Sequence, residues 1–421
     1  MTDSSPGHCA VYVKNNADTA SLISELKRGT GFNGLSEQKV ALFSKAVLEQ
    51  YVVEEDRHDQ KIITRNTSQS LLSMSSGEQK KALLHHLLET SPDVIIVENA
   101  FDNLDVDAQK FLREKLYSIS KEVRIIQIMS RKEDRLDFIT SMVAWDNNRI
   151  RKLEVREATT WNSNTKASPF QGSIPEPLRP HASEQKTLIL FKKVSVSYGS
   201  KSVLRDIDWE VKSGEFWQLS GKNGSGKTTI LTMIIGDNPK AYGQKIYIFG
   251  KKKGSGESVW DIKNRIGYFT PSMTDKFTGY HTVEFMLLSG FFDSIGLYCT
   301  PTERQYRLAK EWLNLIGLWP LKDMQFHSLS AGQQRLIMVT RAMIKHPELL
   351  ILDEPTAGLD DESAALFVTL INKISKESTM TIIFVSHRFE AGLHPQFSYE
   401  LIPTNKGSTG RVIKNNKDDL Y

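Results

Sequence analysis

The string Gly221-Lys-Asn-Gly-Ser-Gly-Lys227-Thr228 constrains this chain more than any other part of it. It follows the mostly apolar run Phe216–Leu219 and precedes a helical stretch, Thr228–Ile235, that Gly236 brings to a stop. A G-x-x-x-x-G-K-[S/T] pattern carries meaning in that setting, between a strand and a helix. Its glycines let backbone N–H groups curl around phosphate oxygens, and the helix N-terminus adds a partial positive charge. Gly221, Asn223, Gly224, Ser225, Gly226, Lys227, Thr228 and Thr229 are therefore the expected phosphate-binding residues. Lys227 can reach the β- and γ-phosphates, and the Thr228 hydroxyl can ligate Mg2+. The bland alternative is an ordinary glycine-rich turn.

A second string argues against that alternative. Leu350-Ile-Leu-Asp353-Glu354-Pro355 ends an apolar strand in two acids. A carboxylate there is costly to bury unless it holds a metal, which makes Asp353 the expected Mg2+ partner. Glu354 stands one residue on, placed to polarise a water that attacks the γ-phosphate. Around these motifs strand patterns (Leu188–Val196, Tyr247–Phe249, Leu349–Leu352, Ile382–Val385) alternate with helical ones such as Glu303–Leu315. Alternation of this kind predicts an α/β sheet, parallel at its centre.

Leu329-Ser330-Ala-Gly332-Gln333-Gln334-Arg335 resembles the signature of the ATP-binding-cassette family, with Ser330 as a helix N-cap. Gly358-Leu-Asp360 resembles that family's D-loop, His387 its switch histidine and Tyr198 its adenine-stacking aromatic. The resemblance covers residues 187–421 and implies a P-loop NTPase fold, ATP and Mg2+ as ligands, and ATP hydrolysis served by Lys227, Glu354 and His387. One position departs from the pattern. Where the family places a glutamine, after Ile266-Gly-Tyr268, the chain reads Phe269-Thr-Pro-Ser272. Ser272 is the candidate for part of that metal-contacting role, with less reach.

Residues 1–160 read as a worn copy of the same cassette. Met74-Ser75-Ser76-Gly77-Glu78-Gln79 is signature-like, and Val94-Ile-Ile-Val97-Glu98-Asn99 matches the acid-ended strand. Ser75 to Glu98 spans 98 − 75 = 23 positions, as does Ser330 to Asp353 (353 − 330 = 23). Glu98 to Asp105 and Asp353 to Asp360 both span 7. A shared register of this kind marks an internal repeat. Its chemistry is depleted: Asn99 replaces the catalytic glutamate and Arg131 the switch histidine. Gly31-Phe-Asn33-Gly34-Leu-Ser36-Glu37-Gln38 is the candidate phosphate loop, with Glu37 where lysine should stand and repelling polyphosphate. Either much of a helical subdomain is absent, or that loop alignment is wrong.

In the family, cassettes pair head to tail and the signature of one closes over ATP held by the other. The resemblance thus adds Ser75, Ser76, Gly77 and Glu78 to the nucleotide-binding residues, through intramolecular pairing or a homodimer. It implies one live site and one dead one. Between the cassettes, residues 161–186 are rich in Asn, Ser, Thr and Pro and read as a linker.

Composition narrows the remaining classes. No apolar stretch approaches the roughly 20 residues that span a bilayer. Met1-Thr-Asp-Ser-Ser-Pro-Gly has neither a basic n-region nor an apolar h-region, so secretion is not expected. Cys9 and Cys299 are too few for a disulfide framework. A cytoplasmic protein is expected, possible at the inner face of a membrane. Longer strings, including Asp237-Asn-Pro-Lys-Ala-Tyr242 and Ser289-Gly-Phe-Phe-Asp-Ser-Ile-Gly296, resemble the tandem-cassette molybdate-import and photorepair-type branch. That branch implies an energy-coupling subunit on a separate membrane permease. The alternatives are a soluble factor acting on ribosomes or nucleic acid, and a nucleotide-gated scaffold. A net charge of +4 asks for neither nucleic acid nor membrane. Lys251–Lys253 reads as a solvated hairpin turn.

Overall fold

The computed structural model describes residues 7–15, 17–28, 35, 37–58, 60–65, 69–146, 149–152, 169–178, 186–277, 279–388 and 390–415. The chain divides into two compact units, residues 1–166 with 358–362, and residues 167–357 with 363–421.

The first unit carries β1 (Cys9–Val13), α1 (Thr19–Arg28), β2 (Val40–Phe43), α2 (Lys45–His58), α3 (Ser76–Glu89), β3 (Val94–Glu98), α4 (Val106–Ile119), β4 (Arg124–Met129), β5 (Ser141–Asp146) and β6 (Arg149–Lys152). Its sheet runs in the order β2-β3-β4-β1-β5-β6, and all pairings except β5–β6 are parallel. Such strands are covered on both faces, which is why Val94-Ile-Ile-Val is apolar throughout and wholly buried.

The second unit opens with the hairpin β7 (Thr187–Tyr198) and β8 (Lys201–Lys212), then β9 (Phe216–Gly221) and α5 (Lys227–Ile235). Gly236 ends α5 in the left-handed conformation, as its place after the apolar run predicts. The short hairpin β10 (Ile246–Ile248) and β11 (Lys251–Lys252) follows, then α6 (Val259–Asn264) and β12 (Ile266–Phe269). A helical segment then holds α7 (Pro271–Asp275), α8 (Val283–Leu288), α9 (Glu303–Leu315) and the signature helix α10 (Ala331–Met343). The unit closes with β13 (Leu349–Asp353), α11 (Asp361–Glu377), β14 (Thr381–Val385), β15 (Phe397–Ile402) and β16 (Thr409–Lys414). The strands form a six-stranded sheet, β12-β13-β14-β9-β15-β16, parallel except at β16, and an antiparallel sheet, β11-β10-β7-β8. The antiparallel sheet packs on the main one through Trp209, which stacks on Tyr399 at 4.6 Å.

The two six-stranded sheets share one permutation, with β1 in the place of β9, β3 of β13 and β4 of β14. The first unit is therefore a cassette reduced to its parallel core. Among the described residues it has no counterpart of the antiparallel sheet, and only α2 and a 3-10 turn stand between β2 and Ser75.

Three expectations change. The phosphate-loop position of the first unit follows β1, because β1 is the strand equivalent to β9. Val13 to Thr19 is 19 − 13 = 6 positions, matching Gly221 to Lys227, 227 − 221 = 6. The worn loop is thus Lys14–Asp18, and the string from Gly31 to Gln38 lies beyond α1, on the way to β2. Gly31–Gly34 and Ser36 fall outside the described residues. Second, part of the expected linker is anchored to the second unit. Phe170 and Ile174 are buried, Ile174 N donates to Glu377 Oε2 at 3.1 Å, and Pro175 O lies 2.7 Å from His346 Nε2. Third, the turn at the lysine cluster is made by Phe249 and Gly250, both at positive φ, as a tight hairpin requires. Lys251 and Lys252 stand exposed on β11, whereas Lys253 is buried, its Nζ 3.8 Å from Glu257 Oε1.

Candidate nucleotide site

The parallel register brings the chemistry to one edge of the second unit's sheet. Leu352 pairs with Phe384 and Asp353 with Val385, while Val385 pairs with Leu219. The carboxyl ends of β9, β13 and β14 therefore lie side by side, in the crevice where open α/β sheets bind ligands. The loop after β9 supplies Gly221–Gly226, the end of β13 supplies Asp353 and Glu354, and the residues after β14 supply His387.

The loop is pinned from both sides. Gly226 caps α5 at φ +99°, and a Cβ there would stand 2.6 Å from Leu204 Cδ2 of β8. Gly221 lies at φ +148°, with Leu401 O only 2.9 Å from where its Cβ would be. A side chain at Gly221 would press on strand backbone, and one at Gly226 on the side chains of Leu204 and Val203. Lys227 is buried, and its ammonium donates to Gly221 O at 2.8 Å and Lys222 O at 3.1 Å. Ser225 is also buried, and its Oγ has no hydrogen-bond partner among the described residues. An orphaned hydroxyl within a glycine-rich loop is a group that a phosphate oxygen would satisfy. Asn223 and Thr229 are half-buried, and Gly224 and Thr228 face solvent.

Asp353 stands at the end of a fully buried strand. Burial, followed by repulsion from Glu354, pushes its carboxyl up to about 6, against the pull of Lys227 and His387 and a hydrogen bond from the Tyr268 phenol. Two adjacent carboxylates held this way form a donor set that a divalent cation relieves. The chemistry of this donor set fits a divalent cation such as Mg2+. Ser272 is exposed on α7, three residues past the end of β12. Among the described residues, no group of three His, Cys, Asp or Glu side chains forms a separate metal site.

Glu354 adopts φ +49°, and its N–H donates to Val385 O at 2.9 Å. Its carboxylate pairs with His387 Nε2, while His387 Nδ1 is buried without a hydrogen-bond partner among the described residues. Left-handed backbone at a non-glycine residue costs free energy and persists where its surroundings enforce it. The worn cassette keeps this backbone and loses the chemistry. Asn99 lies at φ +41°, its N–H donates to Ile128 O at 2.9 Å, and its Oδ1 accepts from Ser130 N and Oγ. At the lysine position Thr19 donates to Glu98, whose carboxyl burial raises.

Both signatures open helices in the same way. Ser330 caps α10 in a capping box with Gln333, and Ser75 caps α3 in one with Glu78. Gly332 packs against Ser363, and Gly77, more loosely, against Ala108. Ser76 Oγ donates to Asn103 O at 2.8 Å. The Glu78 carboxylate accepts from both Ser75 N and Ser75 Oγ, so its charge already sits at the helix N-terminus.

Tyr198 ends β7 with 45% of its surface exposed. Its phenol oxygen accepts a hydrogen bond from Asn238 Nδ2 at 2.8 Å. Asn238 and Tyr268 escaped the sequence reading, although Asn238 falls inside a string quoted for resemblance and Tyr268 inside the one quoted for its departure from the pattern. Their only signal was position, just past the phosphate-loop helix and at the end of β12. The open groove of about 720 Å³ beside Lys192, Lys212 and Phe397 contains none of these residues.

A family model described as ABC transporter matches residues 204–357. ABC transporter ATP-binding protein ModF of Escherichia coli (strain K12) is 35% identical over 328 residues, covering 75% of this chain and 67% of that protein. An uncharacterized ABC transporter ATP-binding protein of Schizosaccharomyces pombe is 32% identical over 325 residues, covering 75% of this chain and 65% of it. The chain spans about two-thirds of the length of these relatives. A solved nucleotide-free ATP-binding cassette from an ABC transporter aligns with 56% of this chain and 94% of its own at 20% identity, with a TM-score of 0.47. With a phosphate loop, acid-ended strand and switch histidine assembled at one sheet edge, and a relative of this similarity, the chain belongs to the ATP-binding-cassette family of ATPases.

Proposed function

We propose that the second unit holds the one hydrolytic site of this chain. The observation that carries this reading is the convergence of Lys227, Asp353, Glu354 and His387 at the carboxyl ends of β9, β13 and β14, against a first unit that keeps the strands and one acid, Glu98, but has Thr19, Asn99 and Arg131 at the other three positions. The triphosphate lies in the loop Gly221–Thr229, where Lys227 exchanges its two carbonyl partners for β- and γ-phosphate oxygens. The adenine rests on Tyr198. Thr228 and Asp353 would hold Mg2+, with Ser272 contributing at its reach, and the ion would supply charge neutralisation on the phosphate oxygens. Glu354 accepts a proton from the attacking water, and His387 fixes its carboxylate. Ser75, Ser76, Gly77 and Glu78 complete the site by cassette pairing, within the chain or between two copies. Support for that step comes from the family resemblance and the intact capping box at Ser75.

The cellular role we infer is that of an energy-coupling component acting with a separate membrane permease, of the molybdate-import type, at the inner face of the membrane. Among the described residues no helix is long and apolar enough to cross a bilayer. The relative from E. coli carries the name of an ABC transporter ATP-binding protein. Phosphate release by the purified chain, with Mg2+ and with chelator, tests the chemistry, and the Lys227→Ala variant should be inactive. Repeating the assay with a candidate permease, with ribosomes and with DNA tests the role. Stimulation by ribosomes or DNA alone would replace the transport reading, and unchanged phosphate release by Lys227→Ala would remove the site.

A further inference from the structure

Asn238 sits just beyond the phosphate-loop helix, only 7% exposed, and every polar atom of its carboxamide is engaged. Oδ1 accepts from Lys240 N at 3.0 Å. A backbone N–H only donates, so this contact fixes which way the amide points. Nδ2 then donates twice, to Tyr198 Oη at 2.8 Å and to Thr232 Oγ1 at 3.1 Å. The Thr232 hydroxyl in turn shares its proton between the carbonyls of Thr228 and Thr229, at 2.8 and 3.0 Å, in the first turn of α5. The backbone follows the same course, with Asp237 N and Asn238 N both donating to Thr232 O, at 2.9 and 3.1 Å. An unbroken chain of hydrogen bonds thus runs from the tip of the β7–β8 hairpin to the turn that follows Lys227. Tyr198 itself is nearly half exposed and stands at a hairpin end, with the Lys240 ammonium 5.9 Å from its ring centroid.

We infer that Asn238 is a positioning residue for purine recognition. It ties the phenol oxygen of Tyr198 to the phosphate-loop helix, so that the ring face and the phosphate cradle keep a fixed separation, matched to a purine nucleoside triphosphate. The inference deepens the reading of Tyr198 as the base platform and rests on it. A preorganised platform contributes to affinity by reducing the ordering needed on binding. The contribution falls on the base alone, since inorganic tripolyphosphate fills the cradle without touching the ring.

Calorimetric titration of the full chain with ATP and with tripolyphosphate separates the possibilities. Asn238→Leu removes all three hydrogen bonds, and Tyr198→Phe keeps the ring and removes only the tethered oxygen. Each should weaken ATP binding by roughly five- to tenfold, the worth of about one hydrogen bond, and leave tripolyphosphate binding unchanged. The double variant should be no weaker than either single one, because both cut the same chain. If Asn238→Leu weakens both ligands equally while Tyr198→Phe weakens neither, Asn238 serves only the fold of α5 and the inference is overturned. If Tyr198→Ala weakens ATP binding but Tyr198→Phe and Asn238→Leu do not, the platform stands and the tether falls. If Tyr198→Ala leaves ATP affinity intact, the platform reading fails and takes this inference with it.

Discussion

Gly226→Ala perturbs the phosphate loop where its geometry is most constrained. Two costs add. The residue lies at φ +99°, ψ 13°, in left-handed space where a Cβ meets the following carbonyl, at about 1–2 kcal/mol. The new methyl would also stand 2.6 Å from Leu204 Cδ2 and 3.1 Å from Val203 Cγ1, and Leu204 is fully buried in β8. Overpacking of this kind costs about 1–3 kcal/mol. The total of about 2–5 kcal/mol should lower the melting temperature of the second unit by roughly 5–15 °C. Differential scanning calorimetry reads that shift directly. A second substitution identifies the source. Leu204→Ala alone should cost about 2–5 kcal/mol by leaving a cavity. Combined with Gly226→Ala, it should cost less than the sum by about 1–3 kcal/mol, since the methyl then has room. The left-handed term would remain. A Gly226→Ala protein melting within about 2 °C of the parent, or strict additivity in the pair, would refute the reasoning.

Other expectations follow from single sites. Cys299 is exposed, whereas burial pushes the Cys9 thiol up to about 11, so a thiol reagent at pH 8 should modify one cysteine rapidly and the second only after denaturation. Asp353 has its folded pKa raised from 3.8 to about 6, so the folded state holds that proton more tightly than the unfolded state does. Its stabilising contribution is present below about pH 4 and is lost as pH rises through 6. In chelator, Asp353→Asn should match the parent near pH 4 and exceed its stability at pH 7; a difference independent of pH would contradict this. Gly332→Ala places a Cβ 2.5 Å from Ser363 Oγ and 2.9 Å from its Cβ, while Gly77→Ala meets Ala108 Cβ at 3.2 Å. Alanine gains about 1 kcal/mol of helix propensity at each site. Denaturant midpoints should therefore fall for Gly332→Ala and stay near the parent value for Gly77→Ala.

Much of the fold could be read from local pattern. The strand from Leu349 is apolar throughout and ends in acids, and Thr302 and Gln305 cap α9 where the helical run begins. The active loop was equally legible, because three glycines and a lysine at fixed spacing serve one geometry. The worn loop was not. Lys14-Asn15 repeats Lys222-Asn223, but no glycine follows, and a loop that no longer cradles phosphate has no reason to keep its composition. Glycines near Gly31 drew the alignment away, and only the strand order restored it. The anchoring of Phe170 and Ile174 was hidden for a different reason. Two apolar residues in a polar stretch bury themselves only because the second unit offers a surface for them, and that surface is tertiary. Tyr268 and Asn238 belong to the same class, with roles fixed by what stands beside them.

The central claim is that one cassette hydrolyses ATP and the other does not. Steady-state phosphate release at saturating ATP and Mg2+ tests it with three variants. Glu354→Gln keeps the shape of the side chain and removes the base, and should reduce turnover by at least about 100-fold. Asn99→Ala and Thr19→Ala alter the equivalent positions of the first unit and should stay within about twofold of the parent, since neither has a base or an ammonium to lose. Turnover that survives Glu354→Gln, or that falls more than about tenfold in Asn99→Ala or Thr19→Ala, would contradict the account.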